Sequence, residues 1–170
     1  MKILQQFDFF SPQGGGTADL IYRLSGALAQ RGHEVVVYTS DYKLEQKYID
    51  SLNKVQVFTF HDWLKIPGIC LTPRLAVEAG KNPKGFDVVH LHWHRSFQAI
   101  MLHRYAKRCG IPYLVDDHGT PRSSIATKGV KRFLWWLFDK TFGPTILKDA
   151  KRVIAETEVG VKEYEELGVT

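Results

Sequence analysis

Residues 2–40 read "KILQQFDFFSPQGGGTADLIYRLSGALAQRGHEVVVYTS". The opening run KILQQFDFF has the apolar and aromatic content of a strand, and EVVVYTS, with three consecutive valines, has that of a strand covered on both faces. Between them, from about Thr17 to Arg31, Leu20, Ile21, Leu24 and Leu28 recur at helical spacing, and Gly32 supplies the left-handed residue that ends a helix. A helix joining two such strands makes them parallel neighbours. The alternation continues through KVQVFTF, FDVVHLHW, IPYLVDD and KRVIAET, with helical patterns between most of them. The expectation is one α/β domain, residues 1–170, with a doubly wound, mainly parallel, Rossmann-like sheet. Ligands of such sheets collect at the carboxyl ends of the strands. The search therefore falls on Ser11 to Gly16, Thr39 to Tyr42, His61 to Trp63, His92 to Arg95, Asp116 to Thr120 and Glu156 to Glu158.

With 170 residues and 44% hydrophobic content the chain can bury one sizeable core. Its net charge of +5 suits an anionic partner such as a phosphorylated ligand or an acidic membrane surface; no nucleic acid is expected. Cys70 and Cys109 lack the paired spacing of a zinc site or disulfide framework, which fits a reducing cytoplasm. No secretory signal and no run approaching roughly 20 apolar residues is seen, so neither export nor membrane spanning is expected.

Gly14, Gly15 and Gly16 stand where the first strand meets the first helix. Glycines there admit a close backbone approach, and the helix amino terminus offers unpaired N–H groups to an anion. They equally suit a sharp strand-to-helix turn. A dinucleotide fingerprint begun at Gly14 finds Asp19 in place of its third glycine, and no P-loop motif occurs.

"SPQGGGTADLIYRLSGALAQRGHEVVVYTS" resembles the opening of family-4-like glycosyltransferases, where a Gly-Gly loop precedes a helix ending in R-G-H-E-V. "FDVVHLHWH", "GIPYLVDDHGT" and "AKRVIAETEVGVKEYEELGV" are similar to that family's D-V-V-H-x-H strand, its G-I-P strand ending in His-Gly, and its A-D-x-V-I-A-x-S-E segment. The four motifs fall in order and cover nearly the whole chain. The resemblance implies the amino-terminal, acceptor-side half of a two-domain GT-B enzyme, with a carboxy-terminal donor-binding domain lying beyond Thr170. It implies a retaining transferase that moves a sugar from a nucleotide-sugar donor to an acceptor hydroxyl, with no cofactor and no metal. The acceptor would be a sugar, a lipid-linked molecule or a small metabolite. The 170-residue chain alone would be inactive. Two other readings are an oxidoreductase's dinucleotide domain, with Asp41 holding the ribose, and a binding module without catalysis.

His118 is implied as the catalytic contact to the donor sugar, with Gly119 beside it; a histidine at a strand's carboxyl end is well placed to bond hydroxyls. Gly14, Gly15 and Gly16 are implied at the donor phosphate or the acceptor. His90, His92 and His94 alternate along one strand and so point to one face. That pattern raises a metal site, but cleft-lining or core histidines are the expectation, with His92 and His94 facing an acceptor. Asp116 and Asp117 alternate to opposite faces. Glu158 matches the family's S-E position, with Thr157 in place of serine. Glu158 and Glu166 also reproduce E-x7-E spacing, but on a glutamate-rich helix without the motif's flanking residues.

"KGVKRFLWWLFDKTFG" joins Lys128, Lys131, Arg132 and Lys140 to an apolar stripe of Val130, Phe133, Leu134, Leu137 and Phe138. The stripe is expected to pack on the sheet. Trp135 and Trp136 fall outside its centre and are expected to pack against the adjoining domain; peripheral membrane contact at the inner face through Lys131, Arg132, Trp135 and Trp136 is the alternative.

Overall fold

The strands form where the apolar runs place them. The computed structural model describes residues 1–65, 69–81, 85–119 and 129–169, without the side chains of Val130 and Lys131. Strands β1 (Lys2–Gln6), β2 (Glu34–Ser40), β3 (Val55–Phe60), β4 (Val88–His92), β5 (Tyr113–Asp116) and β6 (Arg152–Ile154) form one sheet in the order β3-β2-β1-β4-β5-β6. Every pairing is parallel. Leu4 on β1 lies opposite both Val36 and Val89, so the first strand is the centre from which the chain winds in two directions. The reversal between β1 and β4 is the switch point where such sheets open a crevice.

Helices cover both faces: α1 (Gly15–Gln30), α2 (Gln46–Asp50), α3 (Pro73–Lys81), α4 (Phe97–Cys109), α5 (Val130–Thr141), α6 (Gly143–Asp149) and α7 (Glu158–Glu166). One core layer gathers Leu4, Val36, Val89, Leu91, Leu102 and Ile146; the other gathers Phe7, Phe10, Ala18, Ile21 and Val37. Each fully buried aliphatic or aromatic side chain contributes about 1.5–3 kcal/mol against solvent exposure. Helix α4 shows the local signals at work: Ser96 accepts the Ala99 N–H at 3.0 Å, and Gly110 closes the other end at φ 67°.

Three expectations shift. Strand β1 stops at Gln6 rather than running to Phe10, because the Asp8 carbonyl turns to accept the Ser40 N–H. Helix α1 starts at Gly15 and buries Ala18, Ile21, Ser25 and Ala29; of the expected stripe Ile21 is buried, Leu24 and Leu28 are half-buried and Leu20 is exposed. Small residues let the helix lie close to the sheet, and that selects the face over the leucine stripe. Of the predicted α5 stripe, Phe138 packs on the core and three others do not. Phe133, Leu134 and Leu137 face solvent, and Trp135 is half-buried against Trp93 at 6.3 Å. Its orientation is set by Asp139, which grips the buried Arg95 through two hydrogen bonds of 2.6 and 3.0 Å. Lys128 and the side chains of Val130 and Lys131 lie outside the described residues.

Candidate functional site

At the carboxyl ends of β1 and β4 lies a cleft of about 340 Å³. Its walls come from three strand ends and the glycine loop: Phe7, Asp8 and Phe9 after β1, Gln13, Gly14 and Thr17 at the loop, Tyr42 and Lys43 after β2, and Trp93 and Arg95 after β4. Aromatic faces beside a few charged groups suit a ligand with both a flat, weakly polar surface and hydroxyls or an anion.

The three glycines divide by physical cause. A Cβ on Gly14 would stand 2.8 Å from the Ala18 Cβ and even nearer the Phe9 carbonyl oxygen, so packing requires glycine there. Gly15 has φ 73°, a conformation unfavourable to side chains. Gly16 has neither constraint: nothing lies within 4 Å of where its Cβ would be. The Gly14 N–H bonds the Ser11 carbonyl and the Gly15 N–H the Pro12 carbonyl. No side chain caps α1, whose first turn starts at the cleft residues Gly14 and Thr17. An anion fits that geometry.

Asp8 is the cleft's unusual carboxyl. Its burial raises the pKa to about 7, against hydrogen bonding from Gln6 and Ser96 and with a further push from the Asp62 charge. Gln6 donates to it at 2.9 Å.

Beneath the β4 and β5 ends runs a chain of polar side chains. Gln5 Oε1 lies 2.5 Å from His92 Nε2, His92 Nδ1 lies 2.7 Å from His118 Nε2, and His118 Nδ1 lies 3.1 Å from Glu156 Oε1. Each contact joins one donor to one acceptor, so the tautomers of His92 and His118 are set together along the chain. Asp116 Oδ1 lies 3.6 Å from the same His118 Nδ1. Burial raises the Asp116 pKa, opposed by the His118 backbone N–H and ring. Burial lowers the His90 pKa to about 4 and holds that of His92 well below the ordinary histidine range, each reinforced by neighbouring rings. His118 folds back onto this chain because it adopts φ 51°, a left-handed conformation that histidine tolerates better than most residues.

The histidines do not share one face. His90 and His92 lie side by side, ring centroids 3.9 Å apart and planes tilted by 37°, but β4 ends at His92, and Trp93 at φ 86° redirects the backbone. His94 then pairs with Asp117: Nδ1 at 2.6 Å and the backbone N–H at 2.8 Å, with the Tyr164 hydroxyl donating to the same carboxylate at 2.9 Å. Burial raises the Asp117 pKa, but the His94 charge and these hydrogen bonds outweigh it and bring it down to about 2. Asp116 and Asp117 thus serve different histidines, as their alternation implies.

His92 and His94 are 0% and 1% exposed, so both lie under the cleft rather than on its open wall. The His118 side chain is 5% exposed, with both nitrogens engaged. Gly119 follows it, and its carbonyl oxygen lies 3.5 Å from where a Gly160 Cβ would stand, near the start of α7. Glu158 is exposed in the first turn of α7, which Thr157 caps by accepting the Gly160 N–H at 3.0 Å. Asp41 is occupied by its own loop, accepting the Asp62 N–H at 2.9 Å and pairing with His61 at 2.7 Å. Among the described residues, His90, His92 and Asp116, and Asp116, His118 and Glu156, bring donor atoms within 4.8 Å of one another. To hold an ion, His92 and His118 would have to give up the hydrogen bonds just described. Asp8 escaped the sequence search because β1 was read four residues too long, to Phe10 instead of Gln6; Trp93 and Arg95 fell inside it.

The family model for Glycosyltransferase Family 4 matches residues 14–170. No curated protein matches the chain. Among solved structures, HepE of Anabaena in complex with UDP is similar at a TM-score of 0.60 and 14% identity, over 100% of this chain and 42% of that one. The same protein with UDP-glucose gives 0.60 and 15%, over 100% of this chain and 41% of that one. At such identities the likeness is one of fold, and the chain spans less than half the length of HepE.

Proposed function

This chain belongs to glycosyltransferase family 4, and from that premise we propose that it is the amino-terminal, acceptor-side half of a retaining enzyme. That enzyme takes a sugar from a nucleotide-sugar donor and passes it to an acceptor hydroxyl. A carboxy-terminal donor-binding domain completes the site, and the 170 residues alone do not turn over. The observation that carries the reading is the uncapped amino terminus of α1, with the bare Gly16 at its head beside the cleft at the β1/β4 switch point. Supporting the donor class, the similar HepE structures hold UDP and UDP-glucose.

In this reading Gly15 and Gly16 approach the donor phosphate, where N–H groups stabilise the leaving diphosphate as charge develops. Gly14 shapes the turn. His118 and Gly119 stand at the donor sugar, with Gln5, His92 and Glu156 fixing the His118 ring. The acceptor lies in the cleft, between Trp93 and the polar groups of Asp8 and Arg95, while His94 supports the rim through Asp117. Glu158 reaches the site from α7. No cofactor or metal is invoked. The proposed setting is cytoplasmic, where thiols such as Cys70 and Cys109 stay reduced. Among the described residues no helix is long and apolar enough to cross a membrane. The dinucleotide reading loses its ribose partner, since Asp41 is engaged by His61 and Asp62.

The test is donor hydrolysis by the full-length protein against a panel of nucleotide sugars, with Gly16→Val alongside. Turnover of one donor that collapses in the variant is expected. Unchanged turnover in Gly16→Val would remove the loop from the donor site, and no hydrolysis of any nucleotide sugar would remove the transferase reading.

A further inference from the structure

Helix α5 presents an exposed apolar face that packs on no other element among the described residues. Phe133, Trp136 and Leu137 are 59%, 54% and 42% exposed, and Phe133 and Trp136 stack at 6.0 Å. With Lys140 they follow the i, i+3, i+4, i+7 spacing of one helix face. The opposite face, Trp135, Phe138 and Asp139, meets Trp93, His94 and Arg95. The helix is therefore fixed by its inner side, and its outer one is exposed among the described residues.

Charge identifies the occupant. Between Gly129 and Lys148 the sequence has four basic residues, Lys131, Arg132, Lys140 and Lys148, and one acidic residue, Asp139. Asp139 is turned inward onto Arg95, while Arg132 and Lys140 are exposed. Tryptophan and phenylalanine on a short helix, flanked by cations and with no carboxylate on the outer face, match the chemistry of a helix lying in a lipid interface. Tryptophan, phenylalanine and arginine are common to protein and lipid interfaces; Lys140, in the same row as Phe133 and Trp136, favours lipid, because lysine is depleted in protein–protein interface cores.

We propose that the outer face of α5 docks the domain on an anionic bilayer, with Phe133, Trp136 and Leu137 entering the headgroup boundary and Arg132 and Lys140 pairing with lipid phosphates. Trp93 and Arg95, which line the cleft, contact the opposite side of the same helix. Bilayer and cleft are then separated by about one helix diameter, about 10–12 Å. The docking stands independently of the transferase reading.

The test is co-sedimentation of the purified chain with vesicles of phosphatidylcholine alone and of phosphatidylcholine mixed equally with phosphatidylglycerol. Binding to the mixed vesicles is expected, weakened by salt and by Arg132→Gln with Lys140→Gln. Phe133→Ser with Trp136→Ser and Leu137→Ser should lower the partition coefficient by about tenfold or more. Brominated lipids should quench wild-type fluorescence, and Trp136→Phe should remove most of that quenching with the fold kept. The proposal is overturned if the wild type ignores anionic vesicles, if the triple variant binds as well as wild type, or if the face mediates self-association instead.

Discussion

Replacing Asp8 with asparagine should stabilise the protein, and only above mildly acidic pH. In the unfolded chain this carboxyl ionises near pH 4, and in the folded one at about 7. As pH rises through that window the unfolded state gives up a proton that the folded state keeps, so folding stability is lost from about pH 4 to about pH 7. About three decades of proton affinity correspond to a ceiling of about 4 kcal/mol. Because one side of the carboxyl meets the open cleft, solvent screening brings the expected gain for Asp8→Asn to about 2 kcal/mol near pH 8. Asparagine can keep the acceptor that Gln6 uses at 2.9 Å. Urea denaturation followed by tryptophan fluorescence, at about pH 4 and about pH 8 with the slope held constant, measures both values. An equal gain at the two pH values, or none at pH 8, refutes the assignment of the cost to a buried, charge-averse Asp8. The same substitution in the full-length enzyme should raise KM for the acceptor, linking that cost to the cleft.

Gly14→Ala should destabilise by about 1–3 kcal/mol because its Cβ meets the fixed Phe9 carbonyl. Gly16→Ala should be neutral or stabilising by up to about 1 kcal/mol through helix propensity, yet weaken donor binding in the full-length protein; thermal melts and donor titration separate the two. Asp117 contributes stability that is present above about pH 4 and lost as pH falls toward its folded pKa of about 2. An acid titration of unfolding should show that loss, and Asp117→Asn should flatten it while costing about 2–3 kcal/mol at neutral pH by leaving His94 and Tyr164 without their shared partner.

The strands, their parallel pairing and the helix stop at Gly32 were legible because each depends on residues close in the chain: valine runs, helical spacing and a glycine at φ 86°. So was the end of the sheet that carries the site, since every strand of a parallel sheet presents its carboxyl end to one edge. Residue facing was read less well. Both the leucine stripe of α1 and the apolar stripe of α5 satisfied helical periodicity, but periodicity offers several faces and packing chooses among them.

For "SPQGGGTAD" the local sequence leaves turn and anion cradle equal, because both need glycine, and the motifs downstream favour the cradle. Tertiary structure separated them residue by residue: Gly14 is held by the Phe9 carbonyl and Gly15 by its φ, whereas Gly16 answers to no internal contact. Likewise, the sequence determined which histidines and aspartates reach the strand ends. Only the folded chain decided that His92 bonds His118, that His94 bonds Asp117, and that Asp8 stands at the cleft. Those partners are separated by 26 and 23 residues in the first two cases, and such encounters are set by backbone turns at Trp93 and His118 that local pattern does not encode.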